Sequence, residues 1–553
     1  IHQENCLQLH RGIPLRERVR NYRECKDPRK VFDRYSAFYR VPFCTYDFET
    51  RIVKTEQAGG KVKNLHVPYS FSILYLNVFN LADSRVFLEK DLDPKALIEK
   101  FVGICKDLTK YHHDDVQCVD IAENRPRMTK EIREVGCPWC LESFDREKRS
   151  PEYNHSHFQG DTLNGEHNRF ICKACNQKCK IRDKPLKFFA HNASKYDQQL
   201  FLPTFLGDRE IKNHSFLNKS ESRFTEVRLG FGYSEIPGNS RYKLSFNDSM
   251  MLLSGSLANH CAAWISQSDR DALATLMGLF YKDIPREALN PLVDLSFKKQ
   301  VFPYSALNSE TFLESCDPVP QEYFANTFLM DKECTEGDYQ EYLTANETLG
   351  SVLAGATFGD FHDYYLLLDC VLLGIILRNF QNLNSNLSGL NPLSFLSTSA
   401  YSFNALLKHN KYSQTEIPEI IIPEVDVQRF VRRGIKGGFT QIFNKTNLKG
   451  ANDLSFGSDF TSLYPTIMSK CKLPHKFHSW MTTEGKTTDD IISEMEDGPE
   501  DMYYFVDCDI AALAPEFQDK VSNYPMFPET QTISADDYSE DQVTRSVLSS
   551  GCE

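Results

Sequence analysis

The chain has 553 residues, a hydrophobic content of 41% and a formal net charge of -13 at pH 7. A chain of this length folds into roughly three or four domains, and its acidic balance excludes a protein that coats nucleic acid over its whole surface. Because the 17 cysteines are odd in number and no uninterrupted apolar run of about 18 residues is visible, we expect neither a disulfide-stabilised secreted protein nor a membrane protein. We therefore expect an intracellular, reducing compartment.

Residues 1–40 are rich in arginine and lysine, and we assign them as an N-terminal basic segment. Basic runs are usually solvated surfaces, and contact with nucleic acid is the alternative interpretation here. The chain begins with isoleucine and ends in Ser-Ser-Gly-Cys-Glu, so we expect it to be a fragment of a longer protein.

An apolar run with two acidic residues follows the basic segment. Residues 41–48 predict a buried strand that carries Asp47 at its end, Glu49 follows two residues later, and residues 69–79 predict the partner strand. Carboxylates at this spacing can share divalent cations. An Asp-x-Glu pair alone is more often a pair of solvated charges at the end of a strand, so the later motifs must decide between the two interpretations.

Two Cys-x-x-Cys pairs come next, in a polar, loop-like part of the chain. Four thiolates arranged in two such pairs are a typical ligand set for one tetrahedral, structural zinc ion. The alternative is a group of unliganded cysteines in a reduced core. The predicted zinc ligands are Cys137, Cys140, Cys172 and Cys175.

The second acidic motif reads Asn-Ala-Ser-Lys-Tyr-Asp and ends at Asp197. Residues 187–191 predict a short strand that delivers Asn192, Tyr196 and Asp197 to an edge of the same sheet. Asp197 then opens a helical run. Two shorter elements around Ser249 and Lys298 follow, and each is brief enough to occur by chance.

The third acidic motif lies in residues 360–379, which predict one amphipathic helix. Tyr365 and Asp369 are four residues apart in it and therefore share a face. A buried, unpaired carboxylate is costly, so an Asp surrounded by leucines requires a cation or a hydrogen-bonded partner. The simpler interpretation is a core helix with one buried Asp.

The last motifs lie near the C-terminal end of the chain. Gly437 and Gly438 permit a close approach of the backbone to a phosphate. Residues 454–459 predict a strand that ends in Asp459, after which Ser462, Leu463 and Tyr464 turn into a helix.

In their order along the chain, these motifs resemble those of the family B DNA polymerases, in particular the protein-primed branch of adenovirus-like viruses, mobile elements and linear plasmids. The resemblance implies an α/β fold with an RNase H-like 3′–5′ exonuclease, an inserted zinc module similar to endonuclease VII, and the start of a polymerase palm. The implied domains are residues 1–40 (basic segment), 41–136 and 180–380 (exonuclease), 137–179 (zinc insertion), 381–450 (linker) and 451–553 (start of the palm).

The resemblance also implies the cofactors, partners and site residues. Each active site would use two Mg²⁺ or Mn²⁺ ions, bound by Asp47, Glu49, Asp197 and Asp369 in the exonuclease and by Asp459 in the palm. Tyr365 would orient a metal-bound water. The partners would be single-stranded DNA, a DNA primer-template, deoxynucleoside triphosphates and a terminal priming protein, in the nucleus or at a viral replication site. The implied substrate-binding residues are Asn192, Tyr196, Ser249, Lys298, Gly437, Gly438, Ser462, Leu463 and Tyr464.

Two alternatives stay open, a degenerate exonuclease derived from a mobile element and a zinc-dependent DNA-binding protein without catalysis. The zinc insertion resembles a His-Asn-His nuclease with His155, His157 and His167, but Asn154 stands where that nuclease has a metal-binding Asp. An amide binds hard cations less well than a carboxylate, so we expect a module that has lost cleavage. The Asp-Cys-Asp of the predicted strand 503–510 is not taken as the second palm carboxylate pair.

Overall fold

The computed structural model divides the chain into two compact units, Pro28–Ile417 and a second unit made of Ile1–Asp27 and Pro418–Glu553. The domain boundaries predicted at residues 40, 137, 179 and 380 fall inside the first unit. The structure describes residues 32, 34–56, 62–116, 127–145, 149–154, 169–179, 184–220, 223–235, 238–308, 310–324, 334–412, 425–435, 460, 462–474 and 477–507.

Strands in the described residues form a seven-stranded mixed sheet, in the order β3-β2-β1-β6-β9-β8-β7, and a two-stranded sheet of β4 and β5. β1 pairs in parallel with β6, and β6 pairs in parallel with β9, whereas the other neighbours are antiparallel. The carboxyl ends of β6 and β9 therefore lie side by side, next to the middle of β1. The strands are β1 (Phe43–Glu56), β2 (Val62–Leu76), β3 (Arg85–Lys90), β4 (Pro151–Asn154), β5 (Arg169–Cys172), β6 (Leu186–Ala190), β7 (Ile211–Ser220), β8 (Arg223–Phe231) and β9 (Tyr242–Asp248).

The described helices lie in both units, and the last three of them belong to the second unit. They are α1 (Pro94–Tyr111), α2 (Lys130–Val135), α3 (Lys173–Cys179), α4 (Asp197–Gly207), α5 (Leu257–Trp264), α6 (Arg270–Gly278), α7 (Asn290–Leu295), α8 (Glu310–Leu313), α9 (Glu336–Val352), α10 (Phe358–Ser388), α11 (Thr398–Tyr412), α12 (Val425–Arg433), α13 (Leu463–Lys470) and α14 (Thr488–Glu496).

β1 separates two apolar cores. Cys44, Tyr46 and Phe48 alternate along one face of the strand and pack in the core that contains α1 and α4. The intervening residues, including Phe43, face the core built around α10. The sequence prediction that the strand ends at Asp47 is wrong, because antiparallel pairing with β2 continues to Glu56 after an irregularity between Glu49 and Thr50.

The long helix α10 packs directly on β1 and β2. Its approach depends on Gly374, because a Cβ atom at this position would lie 2.9 Å from a methyl group of Leu74. The hydroxyl of Thr45 also donates a hydrogen bond to the carbonyl of Cys370, at 2.8 Å. These contacts fix the part of α10 that carries Asp369 against the middle of the sheet.

Among the described helices, α10 is long and apolar enough to cross a membrane. Its side chains are nevertheless mostly buried among those of the first unit, including Phe361, Leu367 and Ile375. Packing inside the protein core accounts for its composition. The helix starts with Thr357 and Asp360 capping each other and ends at Gly389 in the left-handed conformation.

The second unit is described in part. Trp480 contacts the rings of Phe430 and Phe477, at centroid distances of 5.3 and 5.5 Å. The predicted strand at 503–510 is not formed in the described part, because residues 503–507 have no strand pairing. Residues 508–510 and the predicted strand at 454–459 lie outside the described residues.

Candidate functional site

Four acidic side chains come together where α10 crosses β1. Asp47 and Glu49 lie on the face of β1 that is turned to α10, since side chains two apart in a strand share a face. Asp197 is the first residue of α4, directly after the loop that follows β6. Asp369 lies within α10. Glu49, Asp197 and Asp369 are each no more than 6% exposed.

The charges of these carboxylates act on one another. Burial raises the pKa of Asp47 well above its usual value, and Asp369, Asp197 and Glu49 raise it further. Burial, followed by the charge of Asp369, raises the pKa of Glu49 to about 8. Burial raises the pKa of Asp197 to about 7. Buried like charges at this proximity must either keep protons or be neutralised by cations, and carboxylate oxygens are the ligands that Mg²⁺ and Mn²⁺ prefer.

Lys299 is the cation that the sequence analysis missed. Its ammonium group donates a hydrogen bond to Asp369 and lies 4.8 Å from the centre of the Tyr365 ring. Burial acts to lower the pKa of Lys299, but the charge of Asp369 and the side chains around it raise it above the usual value, so the side chain stays protonated.

The sequence analysis chose Lys298, and this choice needs correction. Lys298 is half exposed and pairs with Glu341 on α9 at 2.9 Å, outside the acidic cluster. Of the two lysines in the irregular segment after α7, Lys299 turns inward and Lys298 does not. The aromatic residues Phe302 and Tyr304 follow Lys299 closely in the sequence and were the feature that could have indicated Lys299 rather than Lys298.

Tyr365 is buried one helical turn before Asp369. Its hydroxyl shares a hydrogen bond of 2.8 Å with that of Tyr304, and its ring stacks on Phe302 at 4.4 Å. Burial, followed by the charge of Asp369, raises the pKa of Tyr365 well above its usual value. Both features keep a neutral phenol beside the carboxylates, where it can donate a hydrogen bond.

The loop after β6 brings Asn192 and Tyr196 to the acidic cluster. Asn192 has a left-handed backbone (φ 65°), and its buried side-chain oxygen has no hydrogen-bond partner among the described residues. The hydroxyl of Tyr196 shares hydrogen bonds with Thr50 and with the ring of His66. The charges of Asp197, Glu49 and Asp47 all act on this hydroxyl, whose pKa is raised chiefly by burial.

Ser249 lies immediately after β9, at the same edge of the sheet. Its buried hydroxyl is 3.1 Å from the ring of His191. Asp248, the preceding residue, hydrogen-bonds to backbone amides of both this turn and the Asn192 loop. Asp248, His191 and His66 were not singled out from the sequence, and Thr50 was only the last residue of the first acidic motif; Asp248 and His191 each stand directly before a predicted site residue.

The four predicted zinc ligands form a second cluster. The sulfur atoms of Cys137, Cys140, Cys172 and Cys175 all lie within 4.8 Å of one another, and those of Cys140 and Cys172 are 3.8 Å apart. Zinc–sulfur bonds of about 2.3 Å in a tetrahedron place the sulfurs at roughly this separation. A hydrogen bond from Cys175 lowers the pKa of Cys137 to about 5, with backbone amides acting in the same direction. The donor set therefore fits a zinc ion.

The cysteine cluster belongs to a larger aromatic core. Tyr35 stacks on Trp139 at 5.2 Å, and the hydroxyls of Tyr35 and Tyr412 both donate to the Trp139 carbonyl. Lys411 donates to the Tyr35 hydroxyl and to the carbonyl of Phe32, at 2.7 and 3.0 Å. The cluster thus connects the segment Phe32–Tyr39, which we call the N-terminal strap, with α11.

The nuclease-like residues of the zinc module have structural contacts where they are described. Asn154 is buried and donates a hydrogen bond to the Tyr39 hydroxyl, and Asn176 donates to Glu152 at 2.7 Å. Asn154 therefore helps to hold the N-terminal strap. The three histidines predicted between the cysteine pairs, at positions 155, 157 and 167, lie outside the described residues.

The predicted polymerase residues are described only in part. Ser462 has a left-handed backbone (φ 52°) and precedes α13, which begins at Leu463, as the sequence predicts. The side chain of Tyr464 is 77% exposed. Gly437, Gly438 and Asp459 lie outside the described residues.

Comparison with known proteins shows a match of residues 177–538 to the family model of DNA polymerase type B, organellar and viral. A probable DNA polymerase of Ascobolus immersus is 25% identical over 387 residues, which are 68% of this chain and 26% of the relative. The chain thus spans about a quarter of that relative's length. No solved structure matches the chain.

Proposed function

The chain belongs to the type B DNA polymerases of organelles and viruses, and on this premise we propose that it is the proofreading part of a replicative DNA polymerase, together with the start of its palm. The observation that carries the proposal is the convergence of four carboxylates, three of them buried, where α10 crosses β1, beside Lys299 and Tyr365. The proposed reaction is removal of nucleotides from the 3′ end of single-stranded DNA.

The strand order supports an RNase H-like exonuclease. Three antiparallel strands, β3, β2 and β1, are extended by β6 and β9 in parallel with β1. Such an arrangement delivers the carboxyl ends of β6 and β9 to the middle of β1, where Asp47 and Glu49 lie. Asp369 completes the set because α10 packs on β1 and β2.

The carboxylates of Asp47, Glu49, Asp197 and Asp369 would hold two Mg²⁺ or Mn²⁺ ions. When bound, such ions activate a water molecule and neutralise charge on the scissile phosphate. Tyr365, kept neutral by burial, would orient the attacking water through its hydroxyl, and Tyr304 would hold that hydroxyl in place. Lys299 would place a fixed positive charge beside the phosphate.

We assign DNA contact to the loops at the edge of the sheet. Asn192, Tyr196 and Ser249 would bind the 3′-terminal nucleotides, with Tyr196 held in place by Thr50 and His66. In the second unit, Asp459 would bind the polymerase metals, and the exposed ring of Tyr464 would exclude ribonucleotides. DNA synthesis by the parent polymerase, priming by a terminal protein and a nuclear or viral replication site are parts of this proposal that rest on the motif order.

The cysteine cluster would hold one structural zinc ion that fastens the N-terminal strap to α11. The contacts of Trp139 with Tyr35 and Tyr412 support this role, as does the structural use of Asn154. DNA cleavage by this module is not part of the proposal.

Degradation of a 5′-labelled single-stranded oligonucleotide with Mg²⁺ or Mn²⁺ tests the proposal. We expect 3′–5′ shortening by the wild-type protein and a loss of roughly a hundredfold or more with Asp47→Ala, while DNA binding persists. Asp294→Ala is the matched control, because Asp294 pairs with Arg270 away from the cluster. Binding without shortening by the wild-type protein would instead favour a zinc-dependent DNA-binding protein.

A further inference from the structure

We propose that Asp248 is the positioning residue that holds the Asn192 loop and the Ser249 turn in one arrangement beside the acidic cluster, an inference that rests on the proposed exonuclease function. Asp248 is the last residue of β9, at the edge of the sheet where the parallel strands end. It belongs to none of the acidic motifs by which the site was predicted.

The carboxylate of Asp248 connects two loops. One oxygen, Oδ1, accepts hydrogen bonds from the backbone amides of Asn192 at 3.1 Å and of Met250 at 3.0 Å. The other oxygen, Oδ2, accepts from the amide of Ser194 at 3.1 Å. Both oxygens therefore accept hydrogen bonds from main-chain amides. These amides belong to the Asn192 loop and to the Ser249 turn.

This arrangement requires a carboxylate. Asp248 is 4% exposed, and no salt bridge within the described part of the chain includes it. Burial of an unpaired charge is unfavourable, and three charge-assisted hydrogen bonds to amides offset that penalty. An asparagine side chain has the same shape but only one accepting oxygen, so it cannot receive the amides of both Asn192 and Ser194.

The Asn192 loop depends on the three hydrogen bonds that Asp248 accepts, which we call the Asp248 clamp. A non-glycine residue in the left-handed region is strained, although asparagine tolerates this conformation better than most residues. Asp248 secures the start of the loop, whereas Thr50 and His66 secure its end through Tyr196. His191 joins the same loop to Ser249. The clamp therefore sets the spacing between the three side chains assigned to DNA contact.

A role as a fifth metal ligand is the competing explanation, because Asp248 lies near Asp197 and acts on its charge. Three amide donors already occupy the two oxygens of Asp248, which leaves it less available to a cation than the four carboxylates of the cluster. The two explanations differ in what they predict for the Mg²⁺ requirement.

The experiment compares Asp248→Asn with Asp269→Asn in the whole chain. Asp269 is also buried and accepts a backbone amide, that of Ser266 at 3.0 Å, but it caps the segment before α6. Readouts are KM and kcat for oligothymidylate degradation, the Mg²⁺ concentration for half-maximal rate, and amide hydrogen exchange of the peptide 190–200. Exchange needs no catalytic activity and so tests the clamp independently.

We expect Asp248→Asn to raise KM about tenfold with a smaller change in kcat, an unchanged Mg²⁺ requirement and faster exchange at 190–200. Asp269→Asn should lower thermal stability without these effects. Unchanged exchange, or a collapse of kcat with a raised Mg²⁺ requirement, would overturn the proposal.

Should Asp248→Asn fail to fold, Asp248→Glu gives the same readouts, since it keeps the charge and displaces both oxygens by one methylene. Faster exchange at 190–200 supports the clamp, and unchanged exchange refutes it. An inactive wild-type protein would refute the exonuclease function, and faster exchange in the variant would still support the clamp.

Discussion

The ammonium group of Lys299 is hydrogen-bonded to Asp369, within a cluster of carboxylates in which the charges of Asp369 and Asp197 raise the pKa of Asp47 and of Glu49. The single positive charge of Lys299 cannot neutralise four carboxylates. The remaining negative charge therefore favours the binding of divalent ions. The neighbouring Lys298 is turned to the surface and pairs with Glu341. Variants of these two adjacent lysines can therefore be compared to test the role of Lys299.

Lys299→Ala should reduce the rate of single-stranded DNA degradation by roughly tenfold or more, because the fixed positive charge beside the phosphate is lost. Lys298→Ala should stay within about twofold of the wild type, since it loses only an exposed ion pair. Single-turnover rates at saturating Mg²⁺ measure both. Equal losses in the two variants would contradict the inward placement of Lys299.

Without divalent ions, the stability of the first unit should fall as the pH rises. The pKa of Glu49 is raised to about 8 and that of Asp197 to about 7, so the folded protein binds protons that the unfolded chain has already released. Their stabilisation is complete below the unfolded values near 4 and is lost as the pH passes the folded values. Thermal melts in chelator from about pH 5 to pH 9 should show this decline.

Mg²⁺ should restore more stability at pH 8 than at pH 5, because protons compete with the metal at low pH. Asp47→Asn removes one of the repelling charges and should flatten the pH dependence in chelator. A melting temperature in chelator that rises between pH 6 and pH 8 would show that the carboxylates do not repel one another in the folded state.

We expect the protein to bind one zinc ion per chain, and we expect Cys172→Ser to abolish this binding. Cys261→Ser is the matched control, because Cys261 is equally buried but lies outside the cluster. Loss of zinc should also change the fluorescence of Trp139 and open α11 to proteolysis, since Trp139 holds Tyr35 and Tyr412. Metal analysis that finds zinc unchanged in Cys172→Ser would refute the assigned ligands.

Gly374→Ala should destabilise the first unit by about 1 to 3 kcal/mol and lower exonuclease activity, because the added methyl group would push α10 away from β1 and β2. Gly350→Ala is the control in α9, where a Cβ atom meets nothing within 4 Å. That change should be neutral or slightly stabilising. Denaturant unfolding compares the two variants.

A protein with these 553 residues should shorten a primer at its 3′ end without extending it. Asp507 is the described residue of the Asp-x-Asp set aside in the sequence analysis, and it lies in a segment without strand pairing. A palm needs a second carboxylate on a strand beside Asp459. Primer extension that is abolished by Asp507→Ala would show that this choice was wrong.

The sequence allowed prediction of those parts of the site that local patterns encode. The apolar run before Asp47, the helical spacing of Tyr365 and Asp369 and the Cys-x-x-Cys pairs all identify elements that the structure contains, and the family B membership is confirmed. The protein-primed branch and the roles of the site residues stay predictions.

What the sequence could not supply is the direction in which isolated side chains point. Lys298 and Lys299 differ only in which of them turns inward, and tertiary packing decides this. The extension of β1 beyond Glu49 was missed because polar residues there pair with β2 rather than fill a core. Asp248 has one local partner, the amide of Met250, but the two that join it to the Asn192 loop lie 54 and 56 residues earlier in the chain.

The N-terminal strap also sets an order of events during synthesis. Tyr35 is made 376 residues before Lys411, which donates to its hydroxyl. At roughly 5 to 20 residues per second, the ribosome needs about 20 to 75 seconds to complete that interval. Throughout this time the rings of Phe32 and Tyr35 lack the helix that covers them, as does that of Trp139 once it has been made. A chain that terminates before α11 would therefore expose an apolar aromatic surface, which chaperones and proteases recognise.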